Sequence, residues 1–306
     1  MNYVQLYQAI QDYSENTESL FVNNIPRFVM EAEDRIYNSV QIPSLRKNVT
    51  GTLTASNKYL SCPDDYLSTY SMAVIDTDTS YKYLLNKDVN FIREAYPMPT
   101  STGLPKYYAL FGSQYSNPNE LSFIMGPTPD ANYNVELHYF YYPVSIVQGA
   151  INTLGTVTGG SLYTNGLYSN VPLTGGNGFG ATANILVSSG AVSSVTLTNP
   201  GNFYNSGDVL SATNTNIGGS GSGFSISVTA INNSAGTSWL GDNYDPVLFY
   251  GAMREAMLFM KGEPDLIKYY EEKYTEALAQ LNRLGSGLER GDAYRDGQYR
   301  IGQVKP

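Results

Sequence analysis

The sequence predicts an α+β fold in which N- and C-terminal helices form a bundle, with a small antiparallel β unit and an inserted all-β domain. Three observations predict it. Apolar residues recur at helical spacing near both ends of the 306-residue chain. Short runs between Thr50 and Val147 alternate apolar and polar residues, as strands do. Residues 150–236 are rich in Gly, Ser, Thr and Asn but contain strand patterns, so this stretch is predicted to fold.

The same changes of composition predict the domain organisation. We expect a core that is interrupted by the β insertion and followed by a tail. The predicted segments are the first part of the core at 1–149, the Gly/Ser/Thr-rich β module at 150–236, the C-terminal helices of the core at 237–284 and an extended tail at 285–306.

The N-terminal region is predicted to hold helices at 3–13, 18–23 and 26–40. In the third of these helices, apolar residues three and four apart share one face. That apolar arc consists of Phe28, Val29, Ala32, Ile36 and Val40. Glu31 precedes Arg35 by four residues, which predicts an ion pair on the solvated side. Met30 and Tyr37 are apolar but lie off the arc, so they are the candidate face towards a neighbouring subunit.

The middle of the chain is predicted to be an antiparallel β unit. Its clearest strand is "NYNVELHYFYYP", in which Val135, Leu137, Tyr139 and Tyr141 alternate with other residues. A brief helical turn is expected from Phe91 to Tyr96.

The Gly-rich stretch contains an internal repeat. Tyr163 opens "YTNG", which is followed by "GGNGFG" from Gly175; Tyr204 opens "YNSG", which is followed by "GGSGSG" from Gly218. Each half then continues into an alternating strand, which predicts a β module of two similar halves. A phosphate-binding loop is not expected here, because such a loop leads from a strand into a helix.

Helical periodicity returns after Trp239. Asp245 is the predicted cap of one helix, with Pro246 in its first turn, and a second long helix follows from Glu263. The last stretch is Gly-rich and carries evenly spaced basic and aromatic residues. It has two interpretations that the sequence leaves open: a frayed terminus, or a tail that orders on a partner. The candidate anchors of such a tail are Arg290, Tyr294, Arg295, Tyr299 and Arg300.

Composition argues against several classes of function. The net charge is −9 and no basic cluster is seen, so tight sequence-independent binding of nucleic acid is not expected. No apolar run is long enough for a transmembrane helix. One cysteine and one histidine cannot form a multi-His or multi-Cys metal site, and no metal or other cofactor is expected.

Catalysis is also not expected. Cys62 and His138 could form a nucleophilic pair, but a buried cysteine and a strand histidine are commoner. Asp64 and Asp65 are adjacent, which places them on opposite sides of an extended chain, so they do not face each other as paired catalytic carboxylates do. Glu31 and Asp34 are placed on an outer helical face.

The order of these pieces resembles the head-to-tail adaptor (connector) proteins of tailed bacteriophages. Five sequences carry the resemblance: "LYQAIQDYSENTESLFVNNIPRFVMEAEDRIYNSV", "LSCPDDYLSTYSM", "TSTGLPKYYALFG", "YNVELHYFYYPVSI" and "NYDPVLFYGAMREAMLFMKGEPDLIKYYEEKYTEALAQLNR". They cover about 1–148 and 238–284. The departure is the long insertion, where such proteins have a short connection.

The resemblance implies a structural, non-enzymatic virion protein of the neck. It implies a homo-oligomeric ring, expected to be a dodecamer, that docks below the portal protein and meets a tail tube or nozzle protein. DNA would pass through the ring without specific binding, and the C-terminal tail would insert between portal subunits. The β module would contact the capsid, a fibre or nothing.

An alternative remains open. The chain could be a tail- or fibre-associated virion protein whose β module binds a receptor, a glycan or another virion protein. The aromatic residues that would make such contacts are Tyr163, Tyr168, Phe203 and Tyr204. Their other interpretation is turn and core packing.

Overall fold

The structure is a computed structural model that describes residues 1–98, 100–114 and 117–289. The helices are α1 (Tyr3–Ser14), α2 (Ser19–Val22), α3 (Ile25–Ser39), α4 (Val89–Ala95), α5 (Trp239–Asn243), α6 (Asp245–Phe259) and α7 (Pro264–Glu289), with 3-10 turns at Pro43–Leu45 and Asn214–Ile217. The strands are β1 (Arg46–Leu53), β2 (Tyr59–Ser61), β3 (Tyr66–Ile75), β4 (Tyr81–Tyr83), β5 (Leu85–Asn86), β6 (Tyr107–Gln114), β7 (Asn117–Gly126), β8 (Tyr133–Tyr141), β9 (Ala150–Ser161), β10 (Gly166–Thr174), β11 (Thr182–Ser188), β12 (Ala191–Asn199), β13 (Val209–Ala212) and β14 (Ser222–Asn232).

The chain divides into two compact units, and residues 41–143 form one of them, here called the middle unit. It contains two four-stranded sheets, with strand orders β1-β8-β3-β4 and β2-β7-β6-β5. The strand pairs are antiparallel except for β5 and β6, which run parallel. The strand predicted from "NYNVELHYFYYP" is confirmed as β8, which lies in the centre of the first sheet. The predicted helical turn is confirmed as α4.

The core of the middle unit lies between the inner faces of these sheets. Alternate residues of β8 point into it, because successive side chains of a strand face opposite sides. Val135, Leu137 and Tyr139 are accordingly 1%, 4% and 3% exposed. They pack in one cluster with residues of the facing sheet that include Phe123 and Met125.

The second unit comprises residues 1–40 and the chain from Val144 onward. In it, α6 packs against α3, α7 and α1. The N-terminal helices lie where helical periodicity predicts them, within one or two residues at each end. The buried face of α3 includes the predicted arc, and Phe28 of this arc contacts the rings of Phe21 and Phe259.

Six strands of the second unit form a nearly closed sheet in the order β12-β11-β10-β13-β14-β9. Its first and last strands are joined by backbone hydrogen bonds at both ends. Ile151 N–H donates to Pro200 O at 3.1 Å, and Tyr163 N–H donates to Gly190 O at 3.0 Å. The enclosed core is apolar and includes Ile185, Leu210 and Val228. Near-closure protects the edges that an open sheet would expose.

The two halves of the sequence repeat pack against each other in a reciprocal way. Tyr163 of the first half covers Gly221 of the second, and Tyr204 of the second covers Gly178 of the first. A Cβ atom added at Gly221 would lie 2.2 Å from the Tyr163 ring, and one at Gly178 would lie 2.5 Å from the Tyr204 ring. In each half of the repeat, the tyrosine ring therefore packs directly on a glycine of the other half.

The backbone repeats the same conformations in both halves. Gly160 and Gly201 have φ values of 65° and 62°, and the residues two positions later, Leu162 and Phe203, have φ values of 65° and 59°. A glycine is favoured at the first of these positions, because L side chains are strained at positive φ. The six-stranded sheet thus has an approximate internal two-fold repeat.

The α+β class is confirmed, but the description as a helical bundle is only partly correct. Sheets make up most of the chain between the two helical regions. None of the helices in the described residues combines the length and apolar character needed to cross a membrane.

Candidate functional site

The predicted tail anchors Arg290, Tyr294, Arg295, Tyr299 and Arg300 all lie outside the described residues. Residues 285–289 are helical. An extended segment was predicted from residue 285, but α7 continues to Glu289. The 17 residues from 290 to 306 lie outside the described part of the chain.

The structure separates the two residues of the predicted inter-subunit face. Tyr37 is 2% exposed, so its ring is buried and offers no free surface to a neighbouring subunit. Helical spacing did not predict the burial of Tyr37, because the buried face of α3 is wider than the predicted arc and includes Glu33 and Tyr37. Met30 is half-buried and lines a cleft of the second unit. A role for Met30 towards a neighbour stays a prediction.

That cleft separates α2 and the start of α3 from the nearly closed sheet, and its volume is about 960 Å³. The helical side contributes Asn23, Arg27 and Met30. The sheet side contributes backbone-rich turns around Phe179 and Pro200. The lining mixes polar and apolar groups, and it offers no cluster of acidic or nucleophilic side chains. We assign no chemistry to this cleft.

The ion pair predicted between Glu31 and Arg35 is wrong. Glu31 instead pairs with Arg27, with 2.7 Å between Arg27 Nε and Glu31 Oε1. Both side chains are solvent-exposed. Arg35 reaches across to α6 and pairs with Glu255 at 2.8 Å. Glu255 also accepts from Arg254, which in turn pairs with Glu271 of α7. This ion-pair network ties α3, α6 and α7 together.

Replacing Glu255 by glutamine is expected to destabilise the helices by about 2 kcal/mol, because two guanidinium groups lose a carboxylate whose side chain is only 10% exposed. Urea unfolding followed by far-UV circular dichroism measures the change. The matched control is Glu31→Gln, where loss of a solvent-exposed i,i+4 pair should cost about 0.5 kcal/mol or less. Equal costs for the two variants would contradict the structural role of the network.

Glu33 is a functional candidate that the sequence analysis missed. Its side chain is 2% exposed and receives hydrogen bonds from Ser145 Oγ and from the backbone N–H of Ile146, the latter at 2.9 Å. Burial raises the pKa of Glu33 to about 7, against the lowering effect of both hydrogen bonds. The sequence signal that could have predicted its burial is its position four residues after Val29 and three before Ile36, on the apolar side of α3.

Glu33 connects α3 to the segment that leads into β9. The two donors to Glu33, the Ser145 hydroxyl and the Ile146 N–H, lie just before the six-stranded sheet begins. Just after the sheet ends, Asn233 Nδ2 donates to Ser145 O at 2.8 Å. The segment that enters the sheet and the segment that leaves it are thus hydrogen-bonded to each other beside the buried carboxyl group of Glu33.

Aromatic residues of α1 pack on one turn of the six-stranded sheet. The Tyr3 ring lies 5.4 Å from the Phe203 ring, and the Tyr7 ring lies 5.6 Å from it. Asn202 Nδ2 donates to Tyr3 Oη at 3.0 Å in a fully buried position. Phe203 is therefore engaged by the protein's own helix.

The other aromatic residues proposed for glycan contact also make contacts within the protein itself. Tyr163 is 5% and Tyr204 is 1% exposed, since each covers a glycine of the opposite half. Tyr168 Oη donates to Thr164 O at 2.8 Å. These positions favour turn and core packing over a stacked sugar.

The residues considered for catalysis do not converge. Asp65 accepts from Lys47 at 2.5 Å and from Tyr139 at 2.7 Å, and these bonds hold the pKa of its carboxyl group below the usual range despite partial burial. The His138 ring packs against Tyr70 with 5.1 Å between ring centroids. Cys62 is buried at the end of β2. Within the described ranges, no group of three His, Cys, Asp or Glu residues could hold a metal ion.

Comparison with known proteins identifies a family. The sequence model of the SU10 adaptor protein family matches residues 1–171. The match includes α1 to α3 and the whole middle unit, and it ends within β10. It does not include 238–284, so the resemblance predicted for that segment stays a prediction. No curated protein matches the chain.

Proposed function

The chain belongs to the SU10 adaptor protein family, whose sequence model matches more than half of it, and we propose that it is the head-to-tail adaptor of a bacteriophage virion. In this role it forms a ring below the portal, links the capsid to the tail and surrounds the DNA channel. The family match is the observation that carries the proposal. A family of phage structural adaptors implies contacts with other virion proteins rather than catalysis.

Other properties of the chain support the proposal. Among the residues considered for catalysis, Glu31 and Asp65 form ion pairs, His138 packs against Tyr70 and Cys62 is buried. A net charge of −9 suits a conduit for DNA, because an acidic wall repels phosphates instead of retaining them. The chain has 27 tyrosines, a residue type enriched at protein–protein interfaces.

Negative-stain electron microscopy of the full chain mixed with the portal protein of its own phage tests the proposal. We expect a second ring beneath the portal. Bare portals beside free chains, also in the presence of the other neck proteins, would overturn it.

We further propose that the C-terminal residues 290–306 dock onto the portal. A chain that ends at Glu289 keeps every described residue of α7, so it should fold like the full chain but bind the portal at least tenfold more weakly. Surface plasmon resonance with immobilised portal measures the loss.

The matched pair for this experiment changes side chains only. Alanine at Arg290, Tyr294, Arg295, Tyr299 and Arg300 should reproduce the truncation, whereas alanine at Gln298 and Gln303 should leave binding within twofold. Unchanged binding after truncation would show that the tail is only a frayed end.

A further inference from the structure

The internal repeat gives the six-stranded sheet two equivalent turns. In the Leu162 turn, Tyr163 N–H donates to the carbonyl oxygen of the glycine before β12 at 3.0 Å. In the Phe203 turn, Tyr204 N–H donates to the carbonyl oxygen of the glycine before β9 at 3.1 Å. β9 runs from the Phe203 turn to the Leu162 turn, and β12 runs back the other way. The two turns therefore lie at opposite ends of the sheet.

The Phe203 turn is covered by α1. The rings of Tyr3 and Tyr7, which are one helical turn apart, lie 5.4 and 5.6 Å from the Phe203 ring. Asn202 Nδ2 donates to Tyr3 Oη, and both of these residues are 0% exposed. Phe203 has a φ of 59°, which is strained for a bulky side chain, and α1 packs on the ring that this conformation presents. This turn thus accepts a helix that carries aromatic residues four positions apart.

The Leu162 turn has the same backbone conformation, but its leucine faces solvent. Leu162 has a φ of 65°, and its side chain is 76% exposed. Among the described non-glycine residues with positive φ, only Leu162 and Phe203 are large and apolar. Glycine or asparagine adopts this conformation with less strain, so solvent alone does not favour a leucine there. A contact with another surface would offset the strain.

Two further leucines are exposed at the same end of the sheet. Leu167 of β10 and Leu186 of β11 face each other across the strand pair and are 66% and 42% exposed. β10 begins and β11 ends beside the Leu162 turn, where Asn165 Oδ1 accepts from Gly190 N–H at 2.8 Å. We call Leu162, Leu167 and Leu186 the leucine tip. Exposed apolar residues grouped in this way mark contact sites.

The leucine tip is also free of charge. Asp208 is the only charged residue between 150 and 236. Its carboxylate accepts hydrogen bonds from the N–H groups of Asn177 and Asn205, and Asn205 lies just after the Phe203 turn at the opposite end of the sheet. A surface without charged side chains suits an apolar partner and offers nothing to a phosphate or a charged peptide.

The side chains around the leucine tip are smaller than those around Phe203. Phe179 pairs with Asn202 beside the Phe203 turn, and Ser222 pairs with Ser161 at the equivalent place. The Ser161 hydroxyl can donate a hydrogen bond, as the Asn202 amide does. The smaller side chains leave room for larger groups on the incoming surface.

We propose that the leucine tip docks an amphipathic helix of a different virion protein, and that the apolar face of this helix carries aromatic residues four positions apart. The argument for this occupant is the packing of α1 on the equivalent turn. A second copy cannot supply the same helix, because Tyr3 is fully buried on the sheet of its own chain. The inference rests on the proposed function, since it takes the partner to be a neighbour in the virion.

The same substitution in the two turns tests whether Leu162 serves a partner. Asparagine tolerates positive φ better than leucine or phenylalanine does. Leu162→Asn should therefore leave the thermal midpoint of the full chain unchanged or raise it. Phe203→Asn should lower the midpoint by at least about 3 °C, because α1 loses its aromatic contact. Circular dichroism measures both. Equal losses in the two variants would show that Leu162 stabilises its own chain and would overturn the inference.

Photo-cross-linking in assembled virions tests the partner. The chain carries p-benzoylphenylalanine at position 162, and mass spectrometry locates the linked residue after irradiation. We expect a link to a helix of a different virion protein, beside an aromatic residue. The same probe at Asn205, which is exposed at the opposite end of the sheet, should give no such link. With the probe at position 167, Leu162→Asn should lower the yield at least tenfold, whereas Thr196→Asn, at an exposed position within β12, should not.

The outcomes separate this inference from the proposed function. In virions that contain the chain in their neck, a link to a second copy, to a strand or loop, to lipid or to nothing would overturn the docking site and leave the adaptor function standing. Complete particles that lack the chain would overturn both proposals, and the missing chain distinguishes that result from the first.

Discussion

Replacing Gly201 by alanine is expected to lower the free energy of unfolding by about 3 kcal/mol more than replacing Gly207 by alanine. Both residues have positive φ, 62° and 94°, so both variants incur the strain of a left-handed alanine, about 1–2 kcal/mol. They differ in the space around the new Cβ atom. At Gly207 it would meet nothing within 4 Å, whereas at Gly201 it would lie 2.6 Å from Phe179 O and 2.7 Å from Ala181 N.

The atoms that must move at Gly201 belong to a backbone bridge between the two halves of the repeat. Phe179 and Asn202 exchange two hydrogen bonds of 3.1 Å there. Breaking both costs about 1 kcal/mol each, and more when the groups stay buried. Urea unfolding followed by the fluorescence of Trp239, the single tryptophan, reports on the unit that contains the sheet. Equal destabilisation by the two variants would contradict the close approach.

The internal repeat supplies a second check of the same prediction. Gly160 is the counterpart of Gly201, and a Cβ atom there would lie 2.3 Å from Ser222 O and 2.7 Å from Phe224 N. Gly160→Ala should therefore destabilise the protein as strongly as Gly201→Ala. A mild effect at Gly160 alone would mean that the two halves are not packed in the same way.

Local sequence patterns predicted the elements whose structure depends on residues close to them in the sequence. Alternation predicts β8 because each inward residue meets the same core, and helical spacing predicts α1 and α3 for the same reason. The Tyr-and-Gly repeat was also visible in the sequence. Its reciprocal packing was not, because Tyr163 and Gly221 are 58 positions apart and nothing local couples them.

The errors share a physical cause, which is a partner distant in sequence. Arg35 was assigned to Glu31 on its own helix, but Glu255 of α6 lies within reach and is better shielded from water. Tyr37 was expected to lie off the apolar arc of α3, but it is 2% exposed because the buried face of that helix is wider than the arc.

Glu33 is the second site where a large effect is expected, and the effect depends on pH. Burial raises the pKa of Glu33 from 4.5 to about 7, with a smaller raising contribution from Asp34. The folded protein therefore holds the proton more tightly than the unfolded chain does. The stabilisation from this group is fully present below about pH 4.5 and is lost as the pH rises through about 7.

The variant Glu33→Gln isolates this dependence, because an amide of the same shape does not titrate. The side-chain oxygen of the glutamine can still accept the hydrogen bond from Ile146 N–H. With about 1.4 kcal/mol per pKa unit, the stability of the native protein relative to the variant should fall by about 3 kcal/mol between pH 4.5 and pH 8. Urea unfolding at a series of pH values measures the difference.

Glu31→Gln is the control for this series, since it removes a carboxylate of the same helix that is paired and solvent-exposed. Its stability relative to the native protein should be nearly flat over the same range. If the Glu33→Gln difference were also flat, the carboxyl group would have the same proton affinity in the folded and unfolded chain. That result would mean that water reaches Glu33 and that the junction of α3 with the six-stranded sheet is open in solution.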